Sequence, residues 1–176
     1  MNKTKLFGAI LLTLGMTADA LADNDFYAGA SAGQATIDAC DGVANCDDED
    51  TSWKVFGGWE LNPNLAFEAG FVDFGEISGT IGGSSVSAEV DGWTLAAKGT
   101  WPVNEQFGVF GKFGAIMWDV EGGGAASGVS DDGTDLLYGI GAQYMFTNQF
   151  GIVGEWEWYD IESDVDLYSV GLLFKF

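Results

Sequence analysis

Beyond residue 22, apolar side chains return at every second position, and no useful length of chain repeats at the helical interval. In Phe150–Tyr159 one parity reads Phe150, Ile152, Gly154, Trp156, Trp158, and the other reads Val153, Glu155, Glu157, Tyr159. The last segment sets Tyr168, Val170, Leu172, Phe174 and Phe176 against Ser169, Gly171, Leu173 and Lys175. Period two is the signature of strands with one face in an apolar medium. The chain is therefore read as all-β.

The pattern comes in units. Phe107-Gly-Val-Phe-Gly-Lys112 matches Phe150-Gly-Ile-Val-Gly-Glu155 position by position, and each follows a short polar turn containing Asn. A third such turn is Asn62-Pro63-Asn64, and both prolines of the chain fall in these turns, where a missing N–H costs least. Longer polar stretches lie between them, at 38–51, 75–87, 121–133 and 160–164. Three short turns and four long loops predict eight strands, near 26–37, 52–61, 65–75, 88–101, 107–120, 134–146, 150–161 and 165–176. Short connections at one end and long ones at the other are the layout of an antiparallel up-and-down transmembrane β-barrel. Closure has a physical cause: in lipid every backbone N–H and C=O must be paired, and only a closed sheet has no edge.

Parity assigns the faces. The row holding Trp53, Val55, Trp59, Phe67, Trp93, Leu95, Trp101, Val109, Phe113, Ile140, Ile152, Val170 and Leu172 faces outward. Its members beside the short turns, such as Trp59, Trp101, Phe107, Phe146, Phe150 and Phe176, form an aromatic girdle at one membrane interface. The opposite row is rich in Gly and carries charge, which suits a barrel lumen and not a soluble core. It holds Lys54, Lys98, Lys112 and Lys175 together with Glu60, Glu68, Glu155 and Glu157, four charges of each sign. Inward glycines (Gly29, Gly33, Gly58, Gly70, Gly114, Gly141, Gly171) are expected to leave room for these long side chains.

Charge and targeting agree with this. Residues 1–22 hold Lys3 and Lys5, an apolar run from Leu6 to Met16, and Ala20-Leu21-Ala22, in the order of a cleavable signal peptide. The apolar run is too short to span a bilayer. The barrel domain is then 23–176. Removing Lys3, Lys5 and Asp19 from the 6 basic and 27 acidic residues leaves 4 and 26. So acidic a chain lacks the basic footprint of a nucleic-acid binder. Its 14% aromatic and 47% hydrophobic content excludes the disorder that often accompanies such charge. The two cysteines, Cys40 and Cys46, lie in the first long loop of a secreted chain, where a disulfide is the default; without His they make at most half a zinc site.

Gly57-Gly-Trp-Glu-Leu-Asn-Pro-Asn-Leu-Ala-Phe-Glu-Ala-Gly-Phe71, Trp93-Thr-Leu-Ala-Ala-Lys-Gly-Thr-Trp-Pro102 and Tyr168-Ser-Val-Gly-Leu-Leu-Phe-Lys-Phe176 together resemble the transmembrane domain of the outer membrane protein A family. The resemblance covers nearly all of 23–176 and implies an eight-stranded barrel of a Gram-negative outer membrane with a polar, largely plugged interior. It implies that Glu68 and Lys98 occupy the Glu and Lys positions of an interior ion-pair network that can gate a small conductance, with Lys112 and Glu155 as a further basic and acidic member. The family's competing Arg is Val153 here, so Glu68 is expected to stay with Lys98. Both lie three residues from their short-turn ends, at Leu65 and Trp101, and are expected to be cross-strand neighbours. The row Tyr168, Val170, Leu172, Phe174, Phe176 resembles the signal read by the outer-membrane assembly machinery. The chain stops at Phe176, so the family's periplasmic peptidoglycan-binding domain is not expected.

Three classes of function remain. The leading one is a monomeric structural or surface-interaction barrel, with outer-membrane lipid and lipopolysaccharide as partners and divalent cations as candidate ligands of its acidic loops. Asp38, Asp41, Asp47, Asp48, Glu49 and Asp50 supply oxygen ligands without the spacing of a calcium loop, so a solvated acidic loop is the preferred reading. The alternative is a narrow porin-like pore, since eight strands enclose a lumen that side chains can fill. An enzyme is disfavoured because the chain has no His to act as general base, and no cofactor motif appears. The disulfide is checked by labelling thiols of the denatured, unreduced protein: neither Cys40 nor Cys46 should react, and modification of both rules out the bridge.

Overall fold

The computed structural model describes residues 25–37, 44–47, 49–81, 84–124, 127–128, 130–161 and 164–176. Residues 1–22, read from sequence as a signal peptide, lie outside these residues, as do Cys40, most of the first acidic loop and the side chain of Cys46. The strands are β1 (Phe26–Ile37), β2 (Ala44–Asp47), β3 (Glu49–Asn62), β4 (Leu65–Ile81), β5 (Ser84–Pro102), β6 (Phe107–Gly124), β7 (Ser130–Met145), β8 (Phe150–Tyr159) and β9 (Val165–Lys175). Eight of them form a closed antiparallel ring in the order β4-β3-β1-β9-β8-β7-β6-β5, with β5 returning to β4. First and last strands pair from Tyr27↔Lys175 to Ile37↔Val165, which closes the sheet. The short β2 stands outside the ring and adds to the far end of β4, pairing Ala44 with Thr80 and Asp47 with Ser78.

The three short turns form for local reasons. The Asn62 side chain accepts a hydrogen bond from Asn64 N at 2.9 Å. Asn104 accepts from Gln106 N and Phe107 N at 2.9 and 2.8 Å, and Thr147 accepts from Gln149 N and Phe150 N at 3.2 and 2.9 Å. Each side chain mimics a backbone turn partner, which is why Asn and Thr recur there.

The long connections differ from expectation. Segments 75–87 and 121–133, read from sequence as loops, are mostly strand: β4 and β5 stay paired to Ile81↔Ser84, and β5 and β6 to Val86↔Gly124. Gly and Ser in these segments hid strands whose pairing is maintained by the neighbouring strand and not by local propensity. A bulge between Asp73 and Glu76 redirects β4 as it leaves the apolar band. There Gly75 has φ 85°, which a side chain rarely adopts, and Glu76 N donates to Asp50 Oδ2 at 2.7 Å.

The outward face is the apolar one. Trp53, Val55, Trp59, Phe67, Trp93, Leu95, Trp101, Phe113, Ile140, Val170 and Leu172 are all exposed to the barrel's surroundings. Neighbouring rings touch along it: Trp53 with Phe71 at 5.7 Å, Phe71 with Trp93 at 5.3 Å, and Trp156 with Tyr168 at 5.2 Å between centroids. A band of exposed aromatics this continuous needs an apolar solvent.

Two of the inward glycines make room for rings and not for the charged side chains expected there. A Cβ at Gly29 would meet the Phe56 ring, and one at Gly141 the Phe110 ring, so these glycines admit aromatic rings from the adjacent strand rather than Lys and Glu side chains.

Candidate functional site

The lumen is filled in three layers. At the short-turn end Tyr27, Phe56, Ala66, Phe110, Val153 and Leu173 form an apolar cluster. At the opposite end a larger one gathers Ala35, Val72, Phe74, Val90, Ala96, Ile116, Trp118, Leu137, Tyr159, Ile161, Val165 and Leu167. The charged side chains lie between them. The expectation of a polar interior therefore holds for the middle layer only. Phe74, Trp118 and Tyr159 stand on the inward parity, and their bulk fills the lumen at this end.

Six charged residues of the middle layer are buried: Lys54, Glu68, Lys98, Lys112, Glu155 and Glu157. Lys54 Nζ on β3 donates to Glu155 Oε2 and to Glu157 Oε2 on β8, each at 2.5 Å. Lys112 Nζ on β6 donates to Glu68 on β4, to Glu155 Oε2 at 2.9 Å, and lies 3.6 Å from Glu157 Oε1. Three ammonium groups thus meet three carboxylates, and the layer is neutral. Neutrality is a condition of its existence, because an unpaired charge in a dry lumen costs several kcal/mol, on the order of the ion's desolvation. The pair Lys175–Glu60, 2.7 and 2.9 Å from Nζ to the two carboxylate oxygens, sits apart at the short-turn mouth and is partly exposed.

The register corrects one expectation. Glu68 stands opposite Ala96, and Lys98 opposite Ala66, so Glu68 and Lys98 are diagonal rather than direct neighbours. Their closest approach is 3.9 Å, an ion pair without a hydrogen bond. The partner that takes Glu68 is Lys112, and Tyr27 Oη adds a hydrogen bond to Glu68 Oε2 at 2.7 Å. Lys98 instead donates to Gln143 Oε1 at 3.2 Å and lies over the rings of Phe110 and Tyr27, 4.2 and 4.9 Å from their centroids. Residue spacing located Glu68 and Lys98 but could not find Tyr27 and Gln143, which reach the site from strands two places away, or Phe56 and Phe110, whose rings come from the adjacent strands β3 and β6.

On the outer face, the register assembles a feature that no single segment displays. Asp73, Asp91, Asp119 and Asp132 stand directly opposite one another across β4, β5, β6 and β7. Beside them, Glu76, Glu89 and Glu121 make a second row. The Asp row lies immediately beyond the apolar row Phe71, Trp93, Met117, and the Glu row one step further out. Like charges opposite one another on neighbouring strands repel and destabilise the pairing. Among the described residues, no three His, Cys, Asp or Glu side chains converge as a metal-binding group.

The C-terminal row Tyr168, Val170, Leu172 lies exposed on the outer face of β9, followed by Phe174 and Phe176. The geometry of the charged layer gives a direct test. In urea titrations of the folded barrel, Glu68→Gln should couple strongly to Lys112→Met and weakly to Lys98→Met in double-mutant cycles. Either single loss at the Glu68–Lys112 pair should cost up to about 3–5 kcal/mol, the range for breaking a buried pair, reduced by any water that enters. Equal coupling to both lysines would contradict this arrangement.

Residues 21–169 match the family model described as the OmpA-like transmembrane domain. Outer membrane protein A of Salmonella typhi is 25% identical over 195 residues, covering 100% of this chain and 56% of that protein. Outer membrane protein P5 of Haemophilus influenzae is 29% identical over 185 residues, covering 90% of this chain and 51% of that protein. The chain spans about half the length of these curated relatives. Among solved structures, Neisserial surface protein A superposes with a TM-score of 0.66 at 14% identity, covering 86% of this chain and 97% of that one. Ail, the attachment invasion locus protein of Yersinia pestis, gives 0.58 at 17% identity, covering 86% and 99%. With alternation, closure, lumen and family model in agreement, the chain belongs to the OmpA-like transmembrane domain family and is an eight-stranded, multi-pass β-barrel of the bacterial outer membrane.

Proposed function

We propose that this barrel is a closed structural element of the outer membrane that acts through its outer surface and not as a pore. The observation that supports this reading is the filled lumen: a neutral layer of three lysines and three glutamates between two apolar clusters. Such a lumen gives water and ions no continuous path, and family membership agrees with the expectation that the chain is not an enzyme. Single-channel recording in planar bilayers tests it. Folded, heat-modifiable protein should give no steps above background. Regular steps would overturn the reading in favour of the narrow, porin-like alternative.

The surface partner is the phosphate-bearing lipopolysaccharide of the outer leaflet, joined through divalent cations to the two acidic rows of β4–β7. The rows stand where the apolar band ends, at the level of lipid headgroups, and their mutual repulsion gives a bridging cation something to relieve. A cation there is shared between a protein carboxylate and a lipid phosphate, with oxygen ligands on both sides. Magnesium should raise the unfolding midpoint more in bilayers containing lipopolysaccharide than in zwitterionic phospholipid. The combination Glu89→Gln, Asp91→Asn, Glu121→Gln should abolish the difference. An equal rise in both bilayers would remove the lipid from the proposal. No rise in either would remove the cation. The Cys40–Cys46 bridge and the role of Tyr168–Phe176 as an assembly signal belong to the same proposal.

A further inference from the structure

We infer that the barrier to ions in this barrel is the apolar plug at its long-hairpin end, closed by the contact between Phe74 and Tyr159, and that the charged layer beneath it is not the gate. The inference rests on the closed-barrel reading and says where the closure lies.

β4 and β8 are four places apart around the ring in either direction, so they face each other across the full diameter of the lumen. Phe74 on β4 and Tyr159 on β8 nevertheless meet edge to face, with centroids 4.8 Å apart. Ring contact between opposite walls leaves no lumen at that level. The neighbours complete the closure: Val72, Ile116 and Leu167 are 0% exposed, and Leu137 and Val165 are 2% exposed. Polar contacts anchor Tyr159 and Trp118, two of the large rings of this cluster. Tyr159 Oη donates to Glu157 Oε2 at 3.1 Å, and Trp118 Nε1 donates to Asp135 Oδ2 at 2.6 Å.

The short-turn end has its own apolar cluster, but a cavity reaches past it from the mouth. A cavity of about 390 Å³ at the short-turn mouth is lined by Glu60, Gln143 and Lys175 among others. Gln143 is also the hydrogen-bond acceptor of Lys98. The solvent-accessible mouth therefore comes within one side chain of the charged layer. Lys112 contacts all three buried glutamates and Lys54 two of them, so the layer has alternative pairings that keep it neutral. Charges that rearrange can also be hydrated from the mouth. An apolar constriction resists wetting whatever the pairing below it, so breaking an ion pair opens the layer without opening the barrel.

The test uses the full mature barrel, refolded and shown to be heat-modifiable, in planar bilayers. Glu68→Gln with Lys112→Met, which removes the pair while keeping neutrality, should remain as silent as the parent. Adding Phe74→Ala should produce current steps at least ten-fold above background. If Phe74→Ala does not refold on this background, Phe74→Leu, which withdraws the ring but keeps apolar volume, replaces it. Steps from the pair variant with Phe74 and Tyr159 intact would overturn the inference, as would silence of the combined variant. Steps from the parent itself would overturn the closed-barrel reading instead, so the two failures are distinguishable.

Discussion

Every backbone polar group that faces hydrocarbon must find its partner within the sheet, and the rest of this molecule follows from that requirement. It forces β1 and β9, the ends of the described chain, into an eleven-pair register from Tyr27↔Lys175 to Ile37↔Val165. It allows only short, self-capped turns at one end, where Asn62, Asn104 and Thr147 supply the missing hydrogen bonds. Once the ring is closed, side-chain direction is no longer free. Alternate residues go to lipid or to the lumen, and a shift of one position would put Lys54, Lys112 and Glu155 into the bilayer.

The lumen then has to be filled by what the inward parity supplies. Its charges are tolerated because they neutralise each other within one layer and because aromatic rings cover them. Phe56 and Phe110 lie beneath the ammonium groups, and each ring fits because a glycine stands beside it, at Gly29 and Gly141. A charged layer between apolar clusters is an expensive way to fill a space, since well-packed apolar side chains of similar volume are often as stable or more so. It does fix which strands face one another, because Lys54 reaches β8 and Lys112 reaches both β4 and β8. The remaining acidity is carried elsewhere. Seven carboxylates stand in two outward rows on β4–β7, beyond the apolar band, where solvent and headgroups can reach them.

The fold was legible in the sequence to an unusual degree because each of its determinants is local. Period-two alternation names strands and their faces, turn chemistry names the short ends, and the inward parity names Lys54, Lys98, Lys112, Lys175, Glu60, Glu68, Glu155 and Glu157 as lumen residues. Strand length was not legible. Gly122, Gly123, Ser85 and Ser87 have no strand preference of their own, and are held by pairing with a neighbour already in place. Partner choice was not legible either. Equal distance from a turn suggested that Glu68 and Lys98 are opposite, whereas the register displaces them by two residues and leaves Glu68 to Lys112.

By itself, then, the sequence determined the class of fold, the inside and the outside, and the inventory of interior charge, because a residue's face depends only on its parity along its own strand. Tertiary structure decided which of those charges pair, that Phe74 meets Tyr159 across the lumen, and that Asp73, Asp91, Asp119 and Asp132 form one row. These relations join residues on different strands. They depend on the stagger with which the sheet closes, a property of the whole ring that no single strand contains.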